Sequence, residues 1–251
     1  MNHPIQTKLY VFCIILCTWL FSSLTYAQTT IDLETGPIFT GYNDVRIPGD
    51  RGTTFSLKDD LKAETKVFYR VRASHTINTR HTLSLLYAPL EIKSSGRVDR
   101  DLLFRDVHFD ANTPIEGIYK FNSYRLTYRY TIVNQSNVVF GMGFTGKIRD
   151  AKISLSTSDL YAEKLSIGFV PIINFRLWWK MSDAFSLVLD GDALGAPQGR
   201  AADVQVAVTY DWTDAFRVRL GYRVLEGGAD NDTVYGFALF HYASLGLSYS
   251  F

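Results

Sequence analysis

From Gln28 onward the chain alternates apolar and polar residues with a period of two, in stretches of about ten residues, the span of a membrane-crossing strand. The clearest case sets Tyr124, Leu126, Tyr128, Tyr130 and Ile132 against Arg125, Thr127, Arg129 and Thr131. Others set Leu165, Ile167, Phe169, Pro171, Ile173, Phe175 and Leu177 against Asn174, Arg176 and Lys180, and Val204, Val206, Val208 and Tyr210 against Asp203, Gln205, Thr209 and Asp211. A further one sets Phe216, Val218, Leu220, Tyr222 and Val224 against Arg217, Arg219 and Arg223. Successive side chains of a strand point to opposite faces, so each stretch is a strand with one apolar and one polar side. No long stretch after Gln28 carries the 3.6-residue period of a helix.

The pattern predicts an all-β chain with strands over 30–42, 65–77, 81–93, 118–133, 138–149, 164–181, 185–194, 201–211, 215–225 and 234–251. The third is apolar on both faces through Leu85, Leu86, Leu90 and Ile92. Short connections fall at 78–80, 134–137, 182–183 and 212–214, and long ones at 43–64, 94–117, 150–163 and 226–233, with 195–200 shorter. Two turns share one solution, Ser182-Asp183-Ala184-Phe185 and Thr213-Asp214-Ala215-Phe216. Short turns at one end and long loops at the other describe a transmembrane antiparallel up-and-down barrel, short side in the periplasm. About ten strands are expected, with eight or twelve as the alternatives.

A soluble sandwich would alternate too, and the charges argue against it. The polar faces carry twelve basic residues, Lys66, Arg70, Arg72, Arg125, Arg129, Lys147, Arg149, Arg176, Lys180, Arg217, Arg219 and Arg223. They carry six acidic ones, Asp32, Glu34, Asp190, Asp192, Asp203 and Asp211. The opposite faces are rich in Tyr, Phe and Leu and nearly free of charge, as a lipid-facing wall requires.

The start of the chain sets the compartment. Lys8 precedes an apolar run over 9–24, followed by Thr25-Tyr26-Ala27-Gln28. A basic start, a short apolar run and a small residue before the cut make a secretory signal peptide, cleaved between Ala27 and Gln28. Residues 1–27 are thus the signal and 28–251 the barrel. The run is shorter than the ~20 residues of a spanning helix, and Leu16 is too bulky for a lipoprotein cut before Cys17. The two cysteines, Cys13 and Cys17, both lie in this segment, so the barrel has no disulfide or thiolate metal site. A net charge of +1 excludes nucleic-acid binding driven by bulk charge.

The chain ends Ser244-Leu245-Gly246-Leu247-Ser248-Tyr249-Ser250-Phe251. This resembles the terminal signature of outer-membrane barrels, with Ser244, Gly246, Tyr249 and Phe251 at the matching positions. The resemblance implies that the last strand is read by the barrel assembly machinery, with Phe251 as part of the mark. At the level of architecture the whole chain resembles small Gram-negative outer-membrane barrels. Ala196-Pro197-Gln198-Gly199-Arg200 and the stretch from Gly221-Tyr222-Arg223 to Ala243 are similar to uncharacterised members of that group. It implies an outer-membrane location, contact with lipid and lipopolysaccharide, and no particular activity.

Chemistry is sparse. There is no phosphate-binding Gly loop, no HExxH and no Gly-x-Ser-x-Gly. Asp190 and Asp192, read as near the outer rim, with Asp106-Val107-His108 above them, resemble the acidic and Asp-His pairs of omptin-type proteases, but the order differs. Pairing of Asp190 and Asp192 with Arg217 and Arg219 inside the barrel is the simpler expectation. His241 falls on the lipid face near the outer interface, and the serine that a lipid A deacylase would need two residues on is Ala243. Glu226 with Asp230-Asn231-Asp232 offers oxygens for Ca²⁺ but lacks the regular spacing of a calcium loop.

The expectation is a non-enzymatic barrel, a narrow pore or an envelope scaffold or surface-binding protein, needing no cofactor or metal. The alternative is an enzyme acting on lipid A or peptides at the outer rim. Twelve inward cations exceed six carboxylates, so a wet lumen is expected, with Arg125, Arg129, Arg217, Arg219 and Arg223 near water and small anions as partners, the loop at 94–117 being a candidate lid. Changing Phe251 to Ala is expected to cut assembly into the outer membrane while export continues; heat-modifiable mobility on cold gels reads folding, and unchanged assembly would remove the role given to the terminal signature.

Overall fold

The computed structural model describes residues 27–197 and 199–251. Residues 1–26, with Lys8, Cys13 and Cys17 of the expected signal segment, lie outside the described residues, and Ala27 and Gln28 open the first strand. Ten strands make the wall: β1 (Ala27–Arg46), β2 (Lys66–Ile77), β3 (in two runs, His81–Ala88 and Glu91–Arg97), β4 (Pro114–Asn134), β5 (Val138–Ser156), β6 (Tyr161–Lys180), β7 (Phe185–Ala196), β8 (Gly199–Asp211), β9 (Phe216–Asn231) and β10 (Val234–Ser250). Each strand pairs antiparallel with the next. β10 returns to β1, from Thr30 opposite Ser250 up to Arg46 opposite Tyr235, which closes the barrel.

Phe251 seals that seam at the short-turn end. Its N–H donates to the Thr29 carbonyl and its carbonyl accepts from the Thr29 N–H, both at 2.9 Å. β3 is split because Pro89 has no N–H to give a ladder. The wall continues on the β4 side, where Phe121 N donates to the Leu90 carbonyl at 2.7 Å and Leu90 N to Asn122 Oδ1 at 3.3 Å.

Alternation places the side chains as the sequence predicts. Ile167, Phe169, Phe144 and Leu220 point outward and are more than two-thirds exposed. Hydrated apolar surface costs about 25 cal/mol per Å², so a continuous outer face of this kind belongs against lipid. His81, Tyr128 and Tyr130 cluster on this face near the short turns, as do Phe216, Tyr249 and Phe251. Such aromatic groups are the girdles of a membrane interface. Leu85 points out and Leu86, Leu90 and Ile92 point in, which explains the two apolar faces of the third strand.

The strands are longer than the sequence pattern suggests. Twenty residues at about 3.3 Å each, tilted near 45°, rise about 47 Å, whereas the apolar band of such a barrel is about 25 Å tall. The wall therefore stands well beyond the bilayer on the side away from the short turns. Two stretches expected as long loops are mostly wall: β5 runs to Ser156 and β6 starts at Tyr161, while β9 runs to Asn231 and β10 starts at Val234. Above the bilayer neither face must be apolar, so the alternation that marks a strand fades there.

The remaining long connections fold over the mouth. Phe55–Ser56 adds to β1, Leu61–Ala63 adds to β3, and Leu102–Phe104 pairs with Val107–Phe109 in a small hairpin. Val45, Ile47, Phe55, Leu57, Leu61, Leu102, Phe104, Phe109, Ile115 and Leu155 are almost wholly buried together there. Arg100 pins this cap from outside, donating to Asp60 Oδ2 at 2.8 Å and to the Thr54 carbonyl at 2.9 Å. Those hydrogen bonds hold the Asp60 carboxyl below its usual range.

Below the cap a second apolar layer crosses the lumen itself. Ile38, Phe68, Leu90, Ile92, Leu225, Phe240 and Tyr242 are buried inside the wall, with Tyr119 and Phe121 packed against them. The rings of Phe68 and Tyr242 meet edge to face at 4.7 Å, and those of Tyr119 and Phe240 lie 5.3 Å apart. The polar lumen expected along much of the barrel is thus confined to the part nearer the short turns.

Candidate functional site

Beneath the apolar layer all six inward carboxylates are paired. Asp203 on β8 accepts from Arg70 of β2 at 3.0 Å and from Arg125 of β4 and Arg223 of β9, each at 2.6 Å. Glu34 on β1 accepts from Arg223 Nε at 2.9 Å and from Arg219 at 3.3 Å. Asp32 accepts from Arg219 at 2.7 Å, and Asp211 from Arg217 at the rim. Gln205 joins the network, donating to Glu34 Oε1 at 3.1 Å and Ser244 Oγ at 2.7 Å.

The partners expected for Asp190 and Asp192 are corrected here. Asp190 takes Arg72 at 2.9 Å, and Asp192 takes Arg125 at 2.7 Å together with Thr145 and Asn174. Arg217 and Arg219 serve Asp211 and Asp32 instead. Parity predicts which face a residue takes, but contact across a barrel depends on strand stagger, which parity does not carry. Two of the twelve cations also leave the interior: Lys66 donates to the Glu91 carbonyl at the strand break, and Lys180 pairs with Asp183 in a short turn.

Four inward cations have no carboxylate within salt-bridge distance among the described residues. Lys147 is buried with its ammonium 4.5 Å from the Phe121 ring centre. Arg149 donates to Ser166 Oγ at 2.9 Å. Arg129, buried, reaches only Asn174 Oδ1 at 3.3 Å, and Arg176 has no hydrogen-bond partner among the described residues. Arg129 and Arg176 both line a cavity of about 620 Å³. The cavity extends to the short turn at Trp212, Thr213 and Asp214 and is walled by Ser74, Thr76 and Thr82 among others.

The terminal signature residues have local tasks. A Cβ at Gly246 would lie 2.7 Å from Arg219 Nη2, so Gly246 leaves the space that guanidinium takes on its way to Asp32. Tyr249 packs between Phe216, at 4.8 Å, and Phe251, at 5.5 Å. Ser244 is the inward hydroxyl that receives Gln205.

The other constellations do not converge. Asp190 and Asp192 lie in the charged lumen rather than at the outer rim, and Asp106 is in the cap hairpin, 3.7 Å from Arg51. His241 points outward as expected, with its Nδ1 2.5 Å from Tyr222 Oη. Glu226 is occupied by Tyr42 Oη at 2.7 Å and Arg200 Nε at 2.8 Å, and Asn231 spends its side-chain oxygen on the turn at Thr233 and Val234. The apolar layer was not singled out from the sequence. Its signal was present: Phe240 and Tyr242 share the parity of Ser244 and Gly246 and so must face inward.

No protein-family model matches the chain, and no curated protein sequence matches it. Solved structures do. The outer-membrane protease OmpT from Escherichia coli superposes with a TM-score of 0.53 at 12% identity, over 89% of this chain and 97% of that one. The Ail protein of Yersinia pestis (TM-score 0.37, 10% identity, 88% and 98% covered) is among the weaker matches. Neisserial surface protein A (0.35, 13%, 90% and 97%) is another. The fold is that of the Gram-negative outer-membrane β-barrels. At these identities the likeness is one of fold.

Removing one partner of a buried ion pair costs about 3–5 kcal/mol. Asp203→Ala, which leaves Arg70 without a carboxylate and takes one of two from Arg125 and Arg223, is expected to lower unfolding stability by at least that much. Asp183→Ala, which removes an exposed pair, is expected to leave it nearly unchanged. Urea unfolding in lipid vesicles measures both, and equal midpoints for the two variants would contradict the clamp.

Proposed function

We propose that this chain is a non-enzymatic protein of the Gram-negative outer membrane whose barrel is closed toward the outside, an envelope scaffold or receptor rather than a diffusion pore. The observation that carries the reading is the pair of apolar layers, the cap around Phe104 and Phe109 and the layer around Phe68 and Tyr242. Close-packed apolar side chains leave no path for water or ions, whereas the lumen charges alone would suit a small anion pore. The ion network below adds a second obstruction, because Arg70, Arg125 and Arg223 meet on one carboxylate inside the lumen.

The same placement weighs against an enzyme at the outer rim. Catalysis on lipid A or peptides needs a nucleophile and a base within hydrogen-bond reach of each other. Here the carboxylates Asp190 and Asp192 are consumed in ion pairs, and the outward His241 is held by Tyr222. Export by a cleaved signal at Ala27 and insertion through the terminal signature ending in Phe251 fit this reading. So does contact of the outward apolar face with lipid and lipopolysaccharide.

Planar-bilayer recording of the purified protein tests the proposal. No discrete conductance steps are expected in molar salt. Reproducible steps with anion preference would overturn the closed barrel and return the pore reading.

A further inference from the structure

We propose that the cavity at the short-turn end is a binding site for a dianionic oxyanion of the phosphate class, gripped by Arg129 and Arg176 and entering from the periplasm. The site does not rest on the closed-barrel reading, since the same two guanidiniums would line the cavity whether or not the outer half conducts.

The charge balance comes first. Arg72, Arg129, Arg176 and the carboxylate of Asp190 line one cavity. The lining holds six arginines and six carboxylates. Arg72, Arg217, Arg219 and Arg223 are paired with inward carboxylates, while Asp183, paired with Lys180, and Asp214 stand exposed on the turns, so Arg129 and Arg176 are the cations left over inside. Arg129 is more than nine-tenths buried yet has a single, long hydrogen bond to an amide oxygen, and Arg176 has none among the described residues. The donors these two guanidiniums do not spend on protein face the cavity, where an anion can accept from them.

The strand between them has glycine opposite each arginine. Arg129 is on β4 and Arg176 on β6, and the intervening β5 presents Gly143 and Gly141 at the inward positions. A Cβ at Gly143 would lie 1.8 Å from the Tyr128 carbonyl oxygen, and one at Gly141 would lie 3.1 Å from Arg129 Cδ. Neither glycine sends a side chain into the lumen, and the stem of Arg129 lies over Gly141. Two guanidiniums on one cavity can share the oxygens of one tetrahedral dianion, and two unpaired cations match its charge. The hydroxyls of Thr76 and Thr82, bonded to each other at 3.0 Å, and of Ser74, bonded to Ser84 at 2.9 Å, give the same cavity a neutral polar wall. The volume of about 620 Å³ exceeds a bare phosphate and suits a small phosphorylated molecule.

Isothermal titration of the purified protein in detergent micelles tests this, with inorganic phosphate, pyrophosphate, succinate and chloride compared at constant ionic strength. Saturable binding of phosphate and pyrophosphate is expected, with succinate weaker and chloride without effect. Arg176→Gln should weaken phosphate binding at least tenfold, and Arg176→Lys should weaken it less. Arg176 has no protein partner to lose, so this variant remains informative if Arg129→Gln fails to fold, and cold-gel mobility checks folding of each. Absence of saturable binding at millimolar phosphate, an equal response to chloride, a preference for succinate, or unchanged affinity in Arg176→Gln would overturn the site. Conductance in the same buffers reads the closed barrel separately, so the two claims fail independently.

Discussion

Three arginines converge on the carboxylate of Asp203, and the rest of the interior is arranged around that contact. Arg70, Arg125 and Arg223 come from β2, β4 and β9, while Asp203 sits on β8, so one carboxylate ties strands from different sides of the wall. A barrel of about ten strands leaves an interior slightly too wide for ordinary side chains to fill, and arginine is long enough to cross it. The desolvation this requires is offset only when each guanidinium donor finds an acceptor, which is why Glu34, Gln205 and Asp192 are drawn into the same network. Removal of Asp203 leaves Arg70 a cation stranded among cations.

The network also divides the lumen. Above it the inward positions turn apolar, from Ile38 and Phe68 to Phe240 and Tyr242, and then to the cap around Phe104. Below it they are Ser, Thr, paired Arg and carboxylates, and the unpaired Arg129 and Arg176, around an open cavity. One side of the molecule is sealed by packing and the other is polar and accessible. A ligand arriving at the short-turn end meets guanidinium groups, whereas one arriving at the other end meets a packed cap.

Much of this was legible in the sequence. The period-two pattern from Tyr124 to Ile132 marks a strand whose arginines face inward, and Arg125 and Arg129 do so. Closure through the last strand follows from antiparallel order, and Phe251 meets Thr29 there. What was not legible depends on stagger and on height. Asp190 pairs with Arg72 across the lumen because tilted strands offset their rungs, an offset that no local pattern records. The segments 150–163 and 226–233 look irregular because they stand above the bilayer, where lipid no longer demands an apolar face. The cap is built from short pieces, Phe55–Ser56, Leu61–Ala63 and the hairpin from Leu102 to Phe109, each too brief for a period to show.

The central claim is that the lumen is wet from one side and sealed from the other. No cysteine follows position 17, so a cysteine at Ser74, half-buried on the cavity wall, reports access without background from the barrel. Labelling Ser74→Cys with a membrane-impermeant maleimide measures that access directly. The account predicts no labelling on intact cells and rapid labelling once the periplasmic face is exposed. Equal labelling from the outside would contradict it.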